Sequence, residues 1–222
     1  MDQPPLASAL LEPPPTNTCM FPVSNRFVLR PADESDIDWI AAQEAQVYSA
    51  DDAIPADVLQ EWFEANRYAC NVICDLRASR VGHINILPIK SNTLHLLLDG
   101  RIRERDVRGD SIHSAAERDV VSCLWVESIT LDVPQPHLRA RALLNVFQRA
   151  PHIMERLADP MNLRHVYALS ATRAGDNLIK RFGFQIASAH IKRTDGHDLY
   201  CATYEVLKRK TQELLAPGMR HD

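Results

Sequence analysis

Proline placement decides where this chain cannot be regular. Pro4, Pro5, Pro13, Pro14, Pro15 and Pro22 crowd the first 25 residues, each fixing φ and removing a backbone donor. Beyond a helical turn at 7–11, no regular helix or central strand fits there. Residues 1–25 therefore read as an extension, a tail that could lean on the body or on a partner chain. Pro31, Pro55, Pro134, Pro136 and Pro151 then punctuate the rest.

Between those marks the hydrophobic pattern alternates between the helical and strand periods. Phe27–Leu29 reads as a strand stopped by Pro31. Asp33-Glu34-Ser35-Asp36 supplies helix-start chemistry, since acidic groups suit the positive end of a helix. Through Tyr48, Ile37, Ile40, Ala41, Glu44 and Val47 recur at near-helical spacing. A second helix carries Val58, Leu59, Trp62 and Phe63 on one face. Cys70–Leu76 and Arg80–Lys90 read as a hairpin whose turn lacks glycine. A charged segment at 99–110 separates it from a strand over Ser122–Val133. A helix is expected over Leu138–Ala150, with Leu143, Leu144 and Phe147 on its apolar side. Pro151 should interrupt it, and a further piece should run to Leu157. Then come a strand at Arg164–Leu169, a short helix at Asn177–Phe182 capped by Gly183, and strands at Phe184–His190 and Leu199–Leu207 joined at Thr194-Asp195-Gly196. The tail after Lys208 is expected to be partly helical and dispensable for the core.

The order is β-α-α-β-β-β-α-β-α-β-β, a mixed α/β sheet with antiparallel hairpins at both ends. At 222 residues, one domain over 26–207 with extensions at 1–25 and 208–222 fits better than two domains.

Composition excludes several classes. A net charge of -4, with no basic stripe interleaved with aromatics, argues against nucleic-acid binding. No apolar run approaches the ~18 residues of a membrane span, and no basic segment followed by an apolar core suggests a secretory leader. Five scattered cysteines, Cys19, Cys70, Cys74, Cys123 and Cys201, do not form a disulfide framework. Cys70 and Cys74 are expected to be small buried thiols. The nine histidines show no ligand spacing, so no metal is expected. A reduced cytoplasm is the expected location.

Two stretches carry a family resemblance. FVLRPADESDID at 27–38 contains Arg30-x-Ala32-x-x-x-Asp36, and HVYALSATRAGDNLIKRFGF at 165–184 runs strand, short helix, Gly183-Phe184. With the element order, from about Arg26 to Leu207, the chain resembles the GNAT acyltransferase superfamily, as a divergent member. The resemblance implies a mixed, mostly antiparallel central sheet flanked by helices. It also implies acyl-CoA, acetyl-CoA in the usual case, as co-substrate.

Members of that superfamily seat the CoA pyrophosphate on amides at the start of the central helix, in a Gln/Arg-x-x-Gly-x-Gly/Ala signature. Helix-start N–H groups and the dipole attract anions. The matching residues are Gln135, Pro136, His137, Leu138, Arg139 and Ala140, with Leu138 in place of the first glycine. No glycine occurs between Gly109 and Gly175. Amides of 138–141 could still face a phosphate, and Arg139 and Arg141 could add charge. By the same resemblance Thr172 stands where an asparagine is common, and Asn177 on the short helix joins the cofactor contacts. The acyl carbonyl should meet amides of Ile129, Thr130 and Leu131. The tyrosine thought to protonate the departing thiolate is Ile179 here, which cannot donate a proton; Tyr167 and Tyr200 are stand-ins by proximity.

Deprotonating an amine acceptor needs a base. Glu127, in the apolar run SCLWVESITLDV, is one candidate, because desolvation should raise its pKa. Glu104, in the charged segment, is the other, although Arg103 and Arg105 beside it also suit a solvated loop. The expected function is direct N-acyl transfer to a small-molecule or protein amine, with no covalent enzyme intermediate. The alternative is a non-catalytic GNAT-like domain that binds a ligand or partner. Neither nucleic acid nor membrane is expected as a partner, and a homodimer is left open.

Overall fold

The computed structural model describes residues 26–215, so the extension at 1–25 and Cys19 lie outside the described residues. Seven strands form one sheet in the order β1-β2-β3-β4-β5-β7-β6. β1 (Phe27–Pro31), β2 (Cys70–Asp75), β3 (Arg80–Leu87) and β4 (Cys123–Leu131) are antiparallel neighbours. β5 (His165–Ser170) lies parallel to β4, and β7 (Asp198–Thr203) and β6 (Gln185–Ser188) complete the sheet antiparallel.

The Arg-x-Ala-x-x-x-Asp stretch is a clamp between β1 and α1 (Glu34–Val47). Arg30 donates to both oxygens of Asp36 at 2.6 and 3.1 Å, and Asp36 also accepts the Asp33 amide at 2.9 Å. Burial alone would raise the Asp36 pKa, but Arg30 and that amide hold it below its ordinary value. α1 buries Ile37, Ile40, Gln43 and Glu44, whereas Val47, expected on this face, is exposed at the helix end. α2 (Ala56–Ala65) buries Val58, Leu59, Trp62 and Phe63 as its spacing predicts. The β2–β3 turn replaces the missing glycine with Ala78 at φ 60°.

Between β3 and β4 lies a helix absent from the sequence reading, α3 (Ser91–Leu98), which buries Leu94 and Leu97. The charged segment after it forms short 3-10 turns at Glu104–Asp106 and Gly109–Ser111. α1, α2 and α3 cover one face of the sheet, together with Cys70, Cys74 and Trp125.

On the other face α4 (Pro136–Leu157) runs unbroken through Pro151. The expected interruption does not occur, because the carbonyl that Pro151 cannot bond, that of Phe147, accepts from Thr211 Oγ1 at 3.4 Å. Leu144, expected on the apolar side, is exposed, while Ala142, Val146, Ile153, Met154 and Leu157 are buried. α5 (Arg173–Arg181) starts earlier than expected, and Gly183 closes it at φ 84°, where a Cβ would meet Val206 at 2.8 Å.

β7 ends at Thr203, not Leu207, and α6 (Tyr204–Leu215) follows directly. The boundary at 207/208 therefore falls inside a helix. α6 is part of the core rather than dispensable: Leu207 and Thr211 are buried against α4, and Tyr204 donates its hydroxyl to Glu155 at 2.9 Å. No helix among the described residues is long and apolar enough to cross a membrane.

Candidate active site

The site forms where two neighbouring strands part. β4 and β5 are paired from Cys123–His165 to Val126–Ala168, and no pairing continues beyond, although β4 runs to Leu131 and β5 to Ser170. The peptide edge of 127–131 toward β5 is thus open to a ligand chain, including Ile129, Thr130 and Leu131.

On its other edge β4 carries a bulge at this level. Asn85 opposes Ser128 and Ile86 opposes Val126, so Glu127 is an extra residue. A bulge re-aims side chains and loosens the ladder. Glu127 is buried, and Asn85 Nδ2 donates to its Oε2 at 2.9 Å. Burial and the neighbouring Glu44 carboxylate push the Glu127 pKa well up, with Asn85 and Ser128 opposing.

Glu127 is one end of a buried polar network on the α1 side of the sheet. Asn85 Nδ2 also lies 3.3 Å from Ser128 Oγ, and Ser128 Oγ 3.1 Å from His83 Nε2. His83 Nε2 is 2.7 Å from Glu44 Oε1, and His83 Nδ1 2.7 Å from Thr130 Oγ1. Burial raises Glu44 to about 7 and lowers His83 to about 3. Glu44 Oε2 and Asn85 Oδ1 are buried acceptors without a hydrogen-bond partner. Such groups carry a desolvation cost that an N–H donor from a bound molecule would relieve.

Glu104 joins this face. It is not a solvated loop residue: Trp125 Nε1 donates to it at 2.5 Å. Its carboxyl is pushed well up by burial, then by Glu127, with Trp125 opposing. Tyr48, at the end of α1, feels Glu127, Glu44 and Glu104, and burial foremost raises its hydroxyl pKa, so it stays protonated. The fold therefore gathers Glu44, Tyr48, Glu104 and Glu127 from α1, a loop and β4. Sequence reading missed Glu44, Tyr48, His83, Asn85 and Ser128 as site residues. The available signal was the alternation of His83 and Asn85 with Ile84 and Ile86 in a strand buried on both faces.

The opposite face of the parting is apolar. An apolar cavity of about 60 Å³, partly open to solvent, lies between the sheet and α4, α5 and α6. Val126 and Ile129, on either side of Glu127, reach it, and so does Ile179. Phe147 of α4 and Phe182 after α5 stack across it.

The stand-ins for the missing tyrosine do not reach this cavity. Tyr167 belongs to the α1-side layer, stacked 6.4 Å from Trp125. Tyr200 gives its hydroxyl to Asp176. Thr172 caps α5, accepting the Gly175 amide at 3.0 Å, and Asn177 is exposed on that helix.

The start of α4 is exposed at Gln135, His137, Arg139, Ala140 and Arg141, with Leu138 partly buried against the core. Leu138 and Arg139 amides both donate to the Gln135 carbonyl, so they close the first turn rather than face outward. Arg139 Nε is tied to the Val133 carbonyl at 2.9 Å. No side chain caps this helix and its first turn holds no acid. The end therefore suits an anion, with the exposed basic side chains contributing more than a glycine-rich loop would. No group of three or more His, Cys, Asp or Glu among the described residues is arranged to hold a metal ion.

No protein-family model matches the chain, and no curated protein matches it by sequence. Solved structures do match. The loading GNATL domain of CurA from Lyngbya majuscula superimposes with a TM-score of 0.56 at 12% identity, covering 82% of this chain and 98% of that one. The GphF GNAT-like decarboxylase in complex with isobutyryl-CoA gives 0.53 at 14% identity, covering 79% and 98%. An agmatine N-acetyltransferase gives 0.47 at 13% identity, covering 80% and 99%. The chain has the GNAT fold.

Proposed function

We propose that this chain is an acyl-CoA-dependent N-acyltransferase that passes an acyl group, acetyl being the smallest, directly to an amine. The observation that carries the reading is Glu127: a desolvated carboxyl on a bulge where β4 leaves β5, with acids on one side and a dry cavity on the other. The thioester supplies the acyl carbon. The open edge of β4 at Ile129–Leu131 offers amides to its carbonyl oxygen. Glu127, its pKa raised by burial, takes the proton from the ammonium so that nitrogen can attack. The C–N bond forms, the C–S bond breaks, and the nitrogen's second surplus proton passes to the departing thiolate, directly or through water. Unpartnered Glu44 Oε2 and Asn85 Oδ1 can accept from the amine, and an ammonium beside Glu104 would draw its buried carboxyl back toward the ionised form. At the start of α4, Arg141 and His137 would face the CoA phosphates, with Arg139 adding charge. A cytoplasmic location belongs to the same reading.

One observation favours a second reading. Ile179 leaves no acid at the sulfur, and decarboxylation of an acyl-CoA keeps the C–S bond and needs none; one GNAT-fold neighbour is a decarboxylase. Against it, Glu44, Glu104 and Glu127 already crowd one another's ionisation, and a further carboxylate among them would add to that repulsion.

Thermal shift with CoA and acetyl-CoA tests binding first: a ligand at a hundred times its dissociation constant should add about 2.7 kcal/mol. Arg139→Glu with Arg141→Glu should weaken calorimetric affinity about tenfold or more while leaving the fold intact. Mass spectrometry of products from a panel of amines and malonyl-type thioesters then separates acylated amine from released carbon dioxide. Stabilisation by neither CoA nor acetyl-CoA would leave only a binding domain for another ligand.

A further inference from the structure

The cavity behind β4 is drier than CoA itself requires. Its walls include Ile84, Ile86, Ile129, Met154, Ile179 and Phe184. Thr211 is the one polar residue among them, and its hydroxyl is committed to the Phe147 carbonyl. A pantetheine arm carries amides, and an amide moved into such walls loses its water without gaining a partner. An alkyl chain needs no partner and gains by leaving water. The position fits as well. Val126 and Ile129 bring the cavity to the level of Glu127, where the thioester carbonyl is expected, so a chain attached to that carbonyl enters from its first carbon. Leu207 and Thr211 of α6 form part of the wall, so the chamber lies between helices and sheet.

We propose that this chamber seats the acyl chain of the donor, and that the preferred donor carries a branched or medium-length saturated acyl group rather than acetyl. The proposal rests on the acyl-CoA reading above. Ile179 then has a role of its own: at the usual position of a polar acid it supplies an apolar wall to the chain.

The test is calorimetric titration of the full chain with CoA and with acetyl-, butyryl-, isobutyryl-, hexanoyl- and octanoyl-CoA. Affinity should rise roughly fourfold with each added methylene until the chamber is full, and then stop rising. Ile179→Trp should abolish most of that gain, and Ile179→Ala should move the optimum to a longer chain. Both variants change a half-buried side chain, and a melting curve for each confirms folding. If CoA binds and all acyl lengths bind equally, the chamber is not an acyl site and the acyl-CoA reading stands alone. If the optimum does not move in Ile179→Ala although the longer chains bind more tightly, the chain sits elsewhere and the proposal falls. If no thioester and no CoA binds, both fall together.

Discussion

Thr211 gives its hydroxyl, at 3.4 Å, to the Phe147 carbonyl that Pro151 leaves without a helical partner. α6 thus repairs α4, and the repair lies on the wall of the cavity. Thr211→Val should destabilise the fold by about 1–2 kcal/mol, the cost of a buried acceptor left unpaired. In a Pro151→Ala background the helix regains its own donor, and the same substitution should cost much less. Urea unfolding of the two single variants and the double variant measures the coupling; equal costs in both backgrounds would refute it.

Glu127→Gln keeps the shape of the bulge and removes the base. Acyl transfer should fall by about 10²–10⁴ in kcat/KM. A base works when deprotonated, so the parent rate should decline as pH falls through the raised pKa of Glu127. That acidic limb should vanish in the variant. Full activity with the limb in place would assign the proton to another group, Glu104 foremost.

Glu44 and His83 pull pH stability in opposite directions. Glu44, raised to about 7, holds its proton more tightly folded than unfolded, so its contribution is greatest below about 4.5 and is lost as pH rises to about 7. His83, lowered to about 3, contributes stability that grows as pH rises from about 3 to 6.5. Glu44→Gln removes the first slope only. The unfolding free energy of this variant, relative to the parent, should therefore increase between about pH 4.5 and 7. A difference that stays flat across that window would show that Glu44 titrates normally in the fold.

Ile179→Tyr would place a phenol on the cavity wall, at the position to which the GNAT resemblance assigns the acid. A thiol is a modest acid, with a pKa of about 8.5 for a free cysteine, so a thiolate can leave without a full proton transfer near neutrality and the parent should be slow rather than inactive. With acetyl-CoA the variant should turn over faster, by up to about 10²-fold, and it should lose ground with longer donors as the space narrows. Steady-state rates with both donors decide it, and a slower variant with acetyl-CoA would mean that another residue, Tyr48 for one, already protonates the sulfur.

The strand and helix order was legible because each element carries its own punctuation: Asp33 and Asp36 at the start of α1, Gly183 at the end of α5, Pro134 after β4. α3 escaped because SNTLHLLL is short, has no side-chain cap and buries only Leu94 and Leu97. The continuity of α4 escaped because its repair comes from a residue 60 positions downstream of Pro151. The base candidate Glu127 stood out as a carboxylate inside an apolar strand. Its companions did not, since Glu44 reads as part of a helical stripe, and what makes it notable is His83, held against it by the packing of α1 on the sheet. Glu104 looked solvated beside Arg103 and Arg105, yet it turns inward to Trp125.

The bulge at Glu127 also changes the meaning of odd and even along β4. Before it, Leu124 and Val126 face α4 while Cys123 and Trp125 face α1; after it, Ile129 and Leu131 face α4 while Ser128 and Thr130 meet His83. A single strand thereby furnishes an apolar wall to one side and polar anchors to the other, with the phase reset at the proposed base. A one-residue deletion anywhere between Val126 and Ser128 would erase that reset. With Glu127 gone, Ser128 would follow Val126 in ordinary alternation, so Ile129 and Leu131 would keep facing α4 and Thr130 would keep meeting His83, and the strand would lose only the carboxyl at its turning point.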